Sequence, residues 1–194
     1  NDGFKQKKEI CLKTNGAGKT GGIKEAMKGA DIVIAASKPG PGTIKPEWCD
    51  GMAHDGIIFA TANPVPEIWP WEAKEHGIKI FATGRSDFPN QVNNSMGFPA
   101  IFRGVLDVRA KTITDEMCIA AATELAKCAE EKGLREDYII PNMSEYEVFP
   151  REAVAVALKA QEQGVARLKL TRQELYDRAD YMIKRSRNLT AKMM

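Results

Sequence analysis

Asparagines gather where this chain turns between apolar runs. Asn63 stands directly before Pro64, and Asn90, Asn93 and Asn94 fall close together in a later turn. A primary amide both donates and accepts hydrogen bonds, which suits the carboxamide or hydroxyl of a small ligand. Pro64 keeps Asn63 out of the helical region. Ser37-Lys38-Pro39-Gly40 adds small residues that let backbone approach a flat ligand closely. Amides clustered without a general base point to orientation of a polar small molecule rather than to proton transfer. The competing reading is that these amides cap turns and helices, and both stay open at this point.

Other chemistry is thinly supplied. His54 and His76 are the only histidines, each beside an Asp-Gly or Gly turn, and both read as surface residues. Cys11, Cys49, Cys118 and Cys128 form no C-x-x-C pair. Zinc takes about four Cys or His ligands, usually in close pairs, so free thiols of a reduced intracellular protein are expected. No metal ligand and no catalytic acid or base is assigned in this chain. Gly18-Lys19-Thr20 looks like the end of a P-loop, but that loop needs a glycine where Lys13 stands. Gly16, Gly18 and Gly21 match the dinucleotide fingerprint, which needs an acid about 20 positions on. Pro39-Gly40-Pro41-Gly42 lies there instead, and Cys11-Leu12 make a poor strand before it. A surface turn is expected, with a phosphate cradle as the alternative.

The elements that must hold these residues follow from apolar periodicity. Asp31 to Ala36, Gly56 to Ala60 and Ile78 to Ala82 are short apolar runs. Their spacing of 25 and 21 residues between Ile32, Ile57 and Ile78 fits βαβ units in a parallel sheet. Continuous rather than alternating apolar strands predict a sheet covered on both faces. Short helices are expected over Ile23 to Ala30, Lys45 to Met52 and Pro70 to His76. The asparagine loops would then leave the carboxyl ends of the strands, where open α/β sheets bind ligands.

After Asn94 the pattern becomes helical. Met96 to Val108 reads as a mostly apolar, buried helix. Thr114 caps a helix that has Asp115 and Glu116 in its first turn and stops at Gly133. Pro150 opens a helix from Arg151 to Gln163, ended by Gly164. Thr171 and Glu174 form a capping box for a last helix, with Leu175, Ala179 and Met182 on one face, opposite Arg172, Arg178 and Arg185. The fold class is α/β, a partial Rossmann-like parallel sheet over residues 1–112 followed by a helical carboxyl-terminal region over 113–194.

Composition bounds the rest. With 194 residues and 43% hydrophobic content, the chain can bury a core and is not disordered. A net charge of +2 leaves no electrostatic footprint for nucleic acid. No apolar run approaches the roughly 18 residues of a membrane span. The start lacks an initiator Met and an apolar signal segment. It opens on Asn1-Asp2-Gly3, a turn sequence, as a piece of something longer would.

At the loops the chain resembles malic enzyme, the NAD(P)-dependent enzyme that oxidises and decarboxylates L-malate to pyruvate and CO2. The stretches that carry the resemblance are Gly29-Ala30-Asp31-Ile32-Val33-Ile34 leading into Ser37-Lys38-Pro39-Gly40, Phe59 to Ile68 around Asn63-Pro64, and Ala82 to Asn94 followed by Gly97-Phe98-Pro99-Ala100-Ile101-Phe102-Arg103-Gly104. The last is very like the compact prokaryotic type. The similarity runs from about Gly21 to at least Gln163.

The resemblance implies that Asn63 contacts the nicotinamide cofactor, NAD or NADP, and that Ser37, Pro39 and Gly40 line it. It implies that Asn94, with Asn93 beside it, binds L-malate. The family's Tyr acid, Lys base and Mg²⁺ or Mn²⁺ ligands all precede the region present here, as does its first glycine loop. Tyr138, Tyr146, Tyr176 and Tyr181 therefore do not stand in for the acid. The implied protein is a cytoplasmic, metal-dependent oxidoreductase, a homo-oligomer (dimer) with no nucleic-acid or membrane partner. Two alternatives stand beside it: another nucleotide-binding module built on Gly16 to Thr20, and a catalytically silent association region in the helices from Thr114 onward.

Overall fold

The structure is a computed structural model that describes residues 4–193, so the Asn1-Asp2-Gly3 turn lies outside the described residues. The chain divides into two compact units, one ending at Phe81 and the other beginning at Ala82.

The first unit opens with α1 (Lys5–Thr14), which buries no residue. A short α2 (Ile23–Met27) follows. The sheet is β1 (Ile32–Ala35), β2 (Ile57–Ala60) and β3 (Ile80–Thr83), in the order β1-β2-β3. β1 and β2 run parallel, with Ile32 opposite Ile57 and Ala35 opposite Ala60. A 3-10 helix (Pro46–Gly51) connects β1 to β2, and α3 (Pro70–Glu75) connects β2 to β3. The crossovers the spacing predicted are therefore present.

Only one face of this sheet is covered along β1. Val33, Ala35, Ile58, Ala60 and Phe81 pack with Met27, Ile44, Cys49, Ile68, Ala73 and Ile78 in one core. Ile32 is 53% and Ile34 76% exposed, contrary to the expectation of a two-sided cover. The apolar run is continuous, but the helical elements of this unit supply packing partners for one side alone. Burial pushes the Cys49 thiol up to about 11, with Asp50 and Glu47 adding to it.

The second unit is a helical assembly around α6 (Val148–Glu162). α6 packs against α4 (Phe98–Asp107), α5 (Asp115–Lys132) and α7 (Arg172–Met193). α6 begins earlier than Pro150 suggested. Val148 and Phe149 are buried in its first turn, and Pro150 sits where the helix leaves its N–H groups unpaired anyway. Arg151 ties α6 to α5 with an Nε bond to Glu124 (2.8 Å) and a fork on Glu131 (2.6 and 2.8 Å). α5 starts at Thr114, whose Oγ1 accepts from the Met117 N–H at 3.3 Å, and ends at Gly133 with φ 88°. Thr171 and Glu174 close the expected capping box on α7. On α7 Leu175 and Ala179 are buried but Met182 is 39% exposed, and Ile183 packs on the core in its place. Cys128 lies in this unit's core, where burial raises its thiol pKa.

α4 departs most from expectation. It buries Ala100, Gly104 and Asp107, while Phe98 (49%), Phe102 (48%) and Leu106 (64%) are exposed. The small residues face inward because α4 lies very close to α6. A Cβ on Gly104 would sit 2.4 Å from the Ala153 carbonyl oxygen and 2.9 Å from the Val156 Cβ. Asp107 is 2% exposed, and Arg103 satisfies it with Nε and Nη2 bonds of 3.0 and 2.5 Å.

This packing makes a sharp expectation. Gly104→Ala gains about 1 kcal/mol of helix propensity but must push apart a pair of helices whose backbone cannot yield, a cost in the range of about 1–3 kcal/mol or more for overpacking. We expect a net loss of stability of about 2 kcal/mol in urea unfolding. An unchanged or higher midpoint would show that α4 and α6 are not in backbone contact at Gly104.

Candidate functional site

In the first unit the loops that leave β1 and β2 are laced together. The Thr61 N–H and Oγ1 both donate to the Ala35 carbonyl, at 2.9 and 2.7 Å. Further out, the Gly40 N–H donates to the Val65 carbonyl (3.2 Å) and the Ile44 N–H to the Glu67 carbonyl (3.1 Å). Gly40 sits at φ 115°, a backbone that an L side chain rarely adopts.

The Glu67 side chain closes this arrangement. It is fully buried, and its Oε1 accepts from the Ser37 N–H (2.8 Å) and Ser37 Oγ (3.2 Å). Its Oε2 accepts from the Ala62 N–H at 3.1 Å. Burying a carboxyl group without hydrogen bonds is costly, and here each oxygen is bonded and serves a different loop. Asn63, the residue after Ala62, is exposed and joined to Pro64 by a cis peptide bond. Among the described residues its amide has no hydrogen-bond partner. Ser37, Pro39, Gly40 and Asn63 are thus brought together on two cross-linked loops, with Ser37 engaged by Glu67 and the Asn63 amide open.

The loop that leaves β3 belongs to the second unit. The Thr83 N–H donates to the Asn90 carbonyl (3.3 Å) and the Val92 N–H to the Thr83 carbonyl (2.9 Å). Asn90 is 5% exposed, in the left-handed region at φ 55°. Its Nδ2 donates to the Glu136 carbonyl (2.8 Å) and its Oδ1 accepts from the Ile139 N–H (2.9 Å), so it fastens the segment between α5 and α6. Asn93 caps the short 3-10 turn Asn94–Met96 by accepting from the Ser95 N–H at 2.9 Å, and donates to the Gly84 carbonyl at 2.8 Å. The Asn94 side chain is exposed and, among the described residues, has no hydrogen-bond partner. The capping reading therefore describes Asn93, while Asn90 is spent on a distant segment and Asn63 and Asn94 keep amides free to meet a ligand.

The other candidates resolve in the same terms. The Gly16 to Lys19 stretch is an exposed turn that Asn15 closes, its Nδ2 donating to the Lys19 carbonyl (2.7 Å) and its Oδ1 accepting from the Lys19 N–H (2.9 Å). α1 leads into it where a P-loop needs a strand, and the Lys19 N–H is already spent. Tyr138 donates to Glu145 (2.9 Å), which also meets Lys132; burial followed by that bond pushes the phenol up. Among the described residues, no three His, Cys, Asp or Glu side chains converge as a metal would require. The residues present therefore do not fit Mg²⁺ or Mn²⁺ by themselves. Glu67 is the residue that sequence reasoning passed over. The signal was there: an acid between Pro66 and Ile68, at the end of a loop otherwise without charge.

Comparison with known proteins places this geometry. The family model for the malic enzyme NAD-binding domain matches residues 24–162. The bifunctional malic/malolactic enzyme of Bacillus subtilis is 46% identical over 172 residues, covering 89% of this chain and 42% of that protein. The NAD-dependent malic enzyme of Geobacillus stearothermophilus is 45% identical over 159 residues, covering 82% of this chain and 33% of its own. The crystal structure of Entamoeba histolytica malic enzyme superposes with a TM-score of 0.94 at 52% identity, over all of this chain and 40% of that one. The chain thus spans well under half the length of these relatives. With the family's domain matched over residues 24–162 and its fold reproduced, this chain belongs to the malic enzyme family, within that family's NAD-binding domain.

Proposed function

We propose that this chain is the portion of a malic enzyme that orients the dinucleotide and the substrate during oxidative decarboxylation of L-malate to pyruvate and CO2. NAD or NADP, when bound, accepts the hydride from malate. Asn63 holds the nicotinamide carboxamide with its own amide, and Ser37, Pro39 and Gly40 line the cofactor. Asn94 holds malate by a carboxylate or the hydroxyl, and Asn93 keeps the turn that presents it. What supports this reading is that, of the amides the resemblance assigns to ligands, Asn63 and Asn94 are exposed and unpartnered at the tips of loops that are otherwise internally bonded. Positioning lowers the barrier by removing orientational freedom before reaction, and amides can do this without exchanging a proton.

The acid, the base and the Mg²⁺ or Mn²⁺ ligands come, in this proposal, from sequence outside these 194 residues. Residues 1–112 form the incomplete cofactor domain and 113–194 the helical region. The enzyme works as a dimer in the cytoplasm. Four free thiols suit a reducing compartment, and no helix among the described residues is long and apolar enough to cross a membrane.

Asn63→Ala removes one ligand hydrogen bond, and such a bond contributes about 1 kcal/mol. We expect dinucleotide binding about fivefold weaker, read by fluorescence titration with NADH or NADPH, and thermal stability unchanged. Lys19→Ala should leave that titration unmoved, and an abolished signal there would restore the phosphate-cradle alternative. Glu67→Ala leaves buried N–H groups unpaired at about 1–3 kcal/mol each, so it should lower both the unfolding midpoint and dinucleotide affinity. If Glu67→Ala unfolds at the wild-type midpoint, the loops are not held by this carboxyl group. Malate-dependent reduction of NAD or NADP by the 194 residues alone, with Mg²⁺ or Mn²⁺ present, would overturn the assignment of acid, base and metal to other sequence.

A further inference from the structure

Glu152 lies inside the second unit on α6, fully buried, and neither of its carboxyl oxygens has a hydrogen-bond partner among the described residues. Buried carboxyl groups are nearly always satisfied, as Glu67 and Asp107 are. The direction of Glu152 is informative. The point where a Gly97 Cβ would stand is 3.7 Å from Glu152 Oε1 and 3.8 Å from the Asn94 carbonyl oxygen. The unpartnered acid therefore lies beneath the Asn94–Gly97 turn, whose free amide is the one assigned above to malate.

We propose that Glu152 is a positioning residue for the Asn94 turn that works only while it carries its proton. Protonated, it is a neutral group that the closed interior accepts beneath the turn. When the proton passes to solvent, the remaining carboxylate needs water or donors that the interior does not supply, and the turn opens to provide them. The proposal rests on the reading of Asn94 as a substrate residue for its functional meaning, though not for its structural test.

Among the described residues, the charged groups on the elements packed around α6 are engaged elsewhere. On α6 the adjacent Arg151 is turned to Glu124 and Glu131 of α5. On α4 Arg103 is spent on Asp107, and on α7 Arg178 donates to the Asp107 carbonyl at 3.2 Å. On α5 Cys128 is a buried thiol whose own pKa is raised. Burial alone pushes the Glu152 carboxyl up to about 9. An acid raised in the folded state makes that state hold one proton more than the open one. The closed turn is therefore favoured at low pH and loses ground as pH rises from the usual carboxyl range towards about 9.

The test is hydrogen exchange of the Met96, Gly97 and Ile101 amides, which donate to the carbonyls of Asn93, Asn94 and Gly97, followed by NMR on the 194-residue chain between pH 6 and 8. After correction for intrinsic exchange, opening of the turn should rise about tenfold per pH unit, one proton's worth. Reference amides in α1 should show no such rise. Glu152→Gln keeps the shape without the titration and should abolish the slope, whereas a merely structural role would shift the level and leave the slope. The carboxyl carbon of Glu152 in the unaltered chain should titrate well above the ordinary range. A normal titration, or an unchanged slope in Glu152→Gln, overturns the proposal. Asn94→Ala should weaken malate binding and leave the Glu152 slope intact. Should malate binding survive that change, the assignment of Asn94 to substrate fails while the Glu152 result stands separately.

Discussion

The Glu67 carboxyl group is the contact on which the cofactor-side loops depend. Backbone bonds already lace the two loops, from Thr61 to Ala35 and from Gly40 to Val65, and the Glu67 side chain adds the buried link between their inner ends. Glu67 uses one oxygen on Ser37 and the other on Ala62, so neither loop can shift without leaving a buried acceptor unsatisfied. The asymmetry of hydrogen bonding gives this clamp its strength: each bond made adds little, while each one broken in the interior costs the full desolvation of the group. Asn63 follows Ala62 directly, so its exposed amide inherits a fixed base.

The second unit solves a similar problem by packing. Gly104 lets α4 lie on the backbone of α6, and the Asn94 turn enters α4 directly through Gly97. Asn93 spends its amide on backbone at that turn and at Gly84, and Asn90 spends its own on the segment between α5 and α6. Rigidity in one unit thus comes from a buried acid with all its partners. In the other it comes from close helix contact, beside a buried acid that has none.

Much of this was legible in the residues. The β-branched runs and their spacing specified three strands and their parallel order, and Thr114, Gly133 and the Thr171–Glu174 pair marked helix ends because capping chemistry is local. What escaped was what depends on neighbours. Phe98, Phe102 and Leu106 are apolar but lie outward, because α4 turns Ala100 and Gly104 to α6, with Ile101 and Val105 packed beside them. The two-sided cover of β1 was misread because a continuous apolar run states what a strand tolerates rather than what this chain places over it. Among the loop asparagines, residue type alone did not separate Asn90 and Asn93, which are spent, from Asn63 and Asn94, which are open. That division is made by backbone partners up to 49 positions away, as between Asn90 and Ile139. Glu67 and Glu152 were passed over because a glutamate in sequence is presumed solvated.

The cysteines carry a consequence of a different kind. Cys11 and Cys118 are exposed, whereas Cys49 and Cys128 are buried, one in the core of each unit. Thiolate is the form that reacts with alkylating agents, and burial holds both core thiols away from it. Each unit therefore contains its own silent reporter, which becomes reactive only when that core opens. Pulsed alkylation with peptide mass mapping would time the opening of the strand unit and of the helical unit separately, with no label introduced and no residue changed.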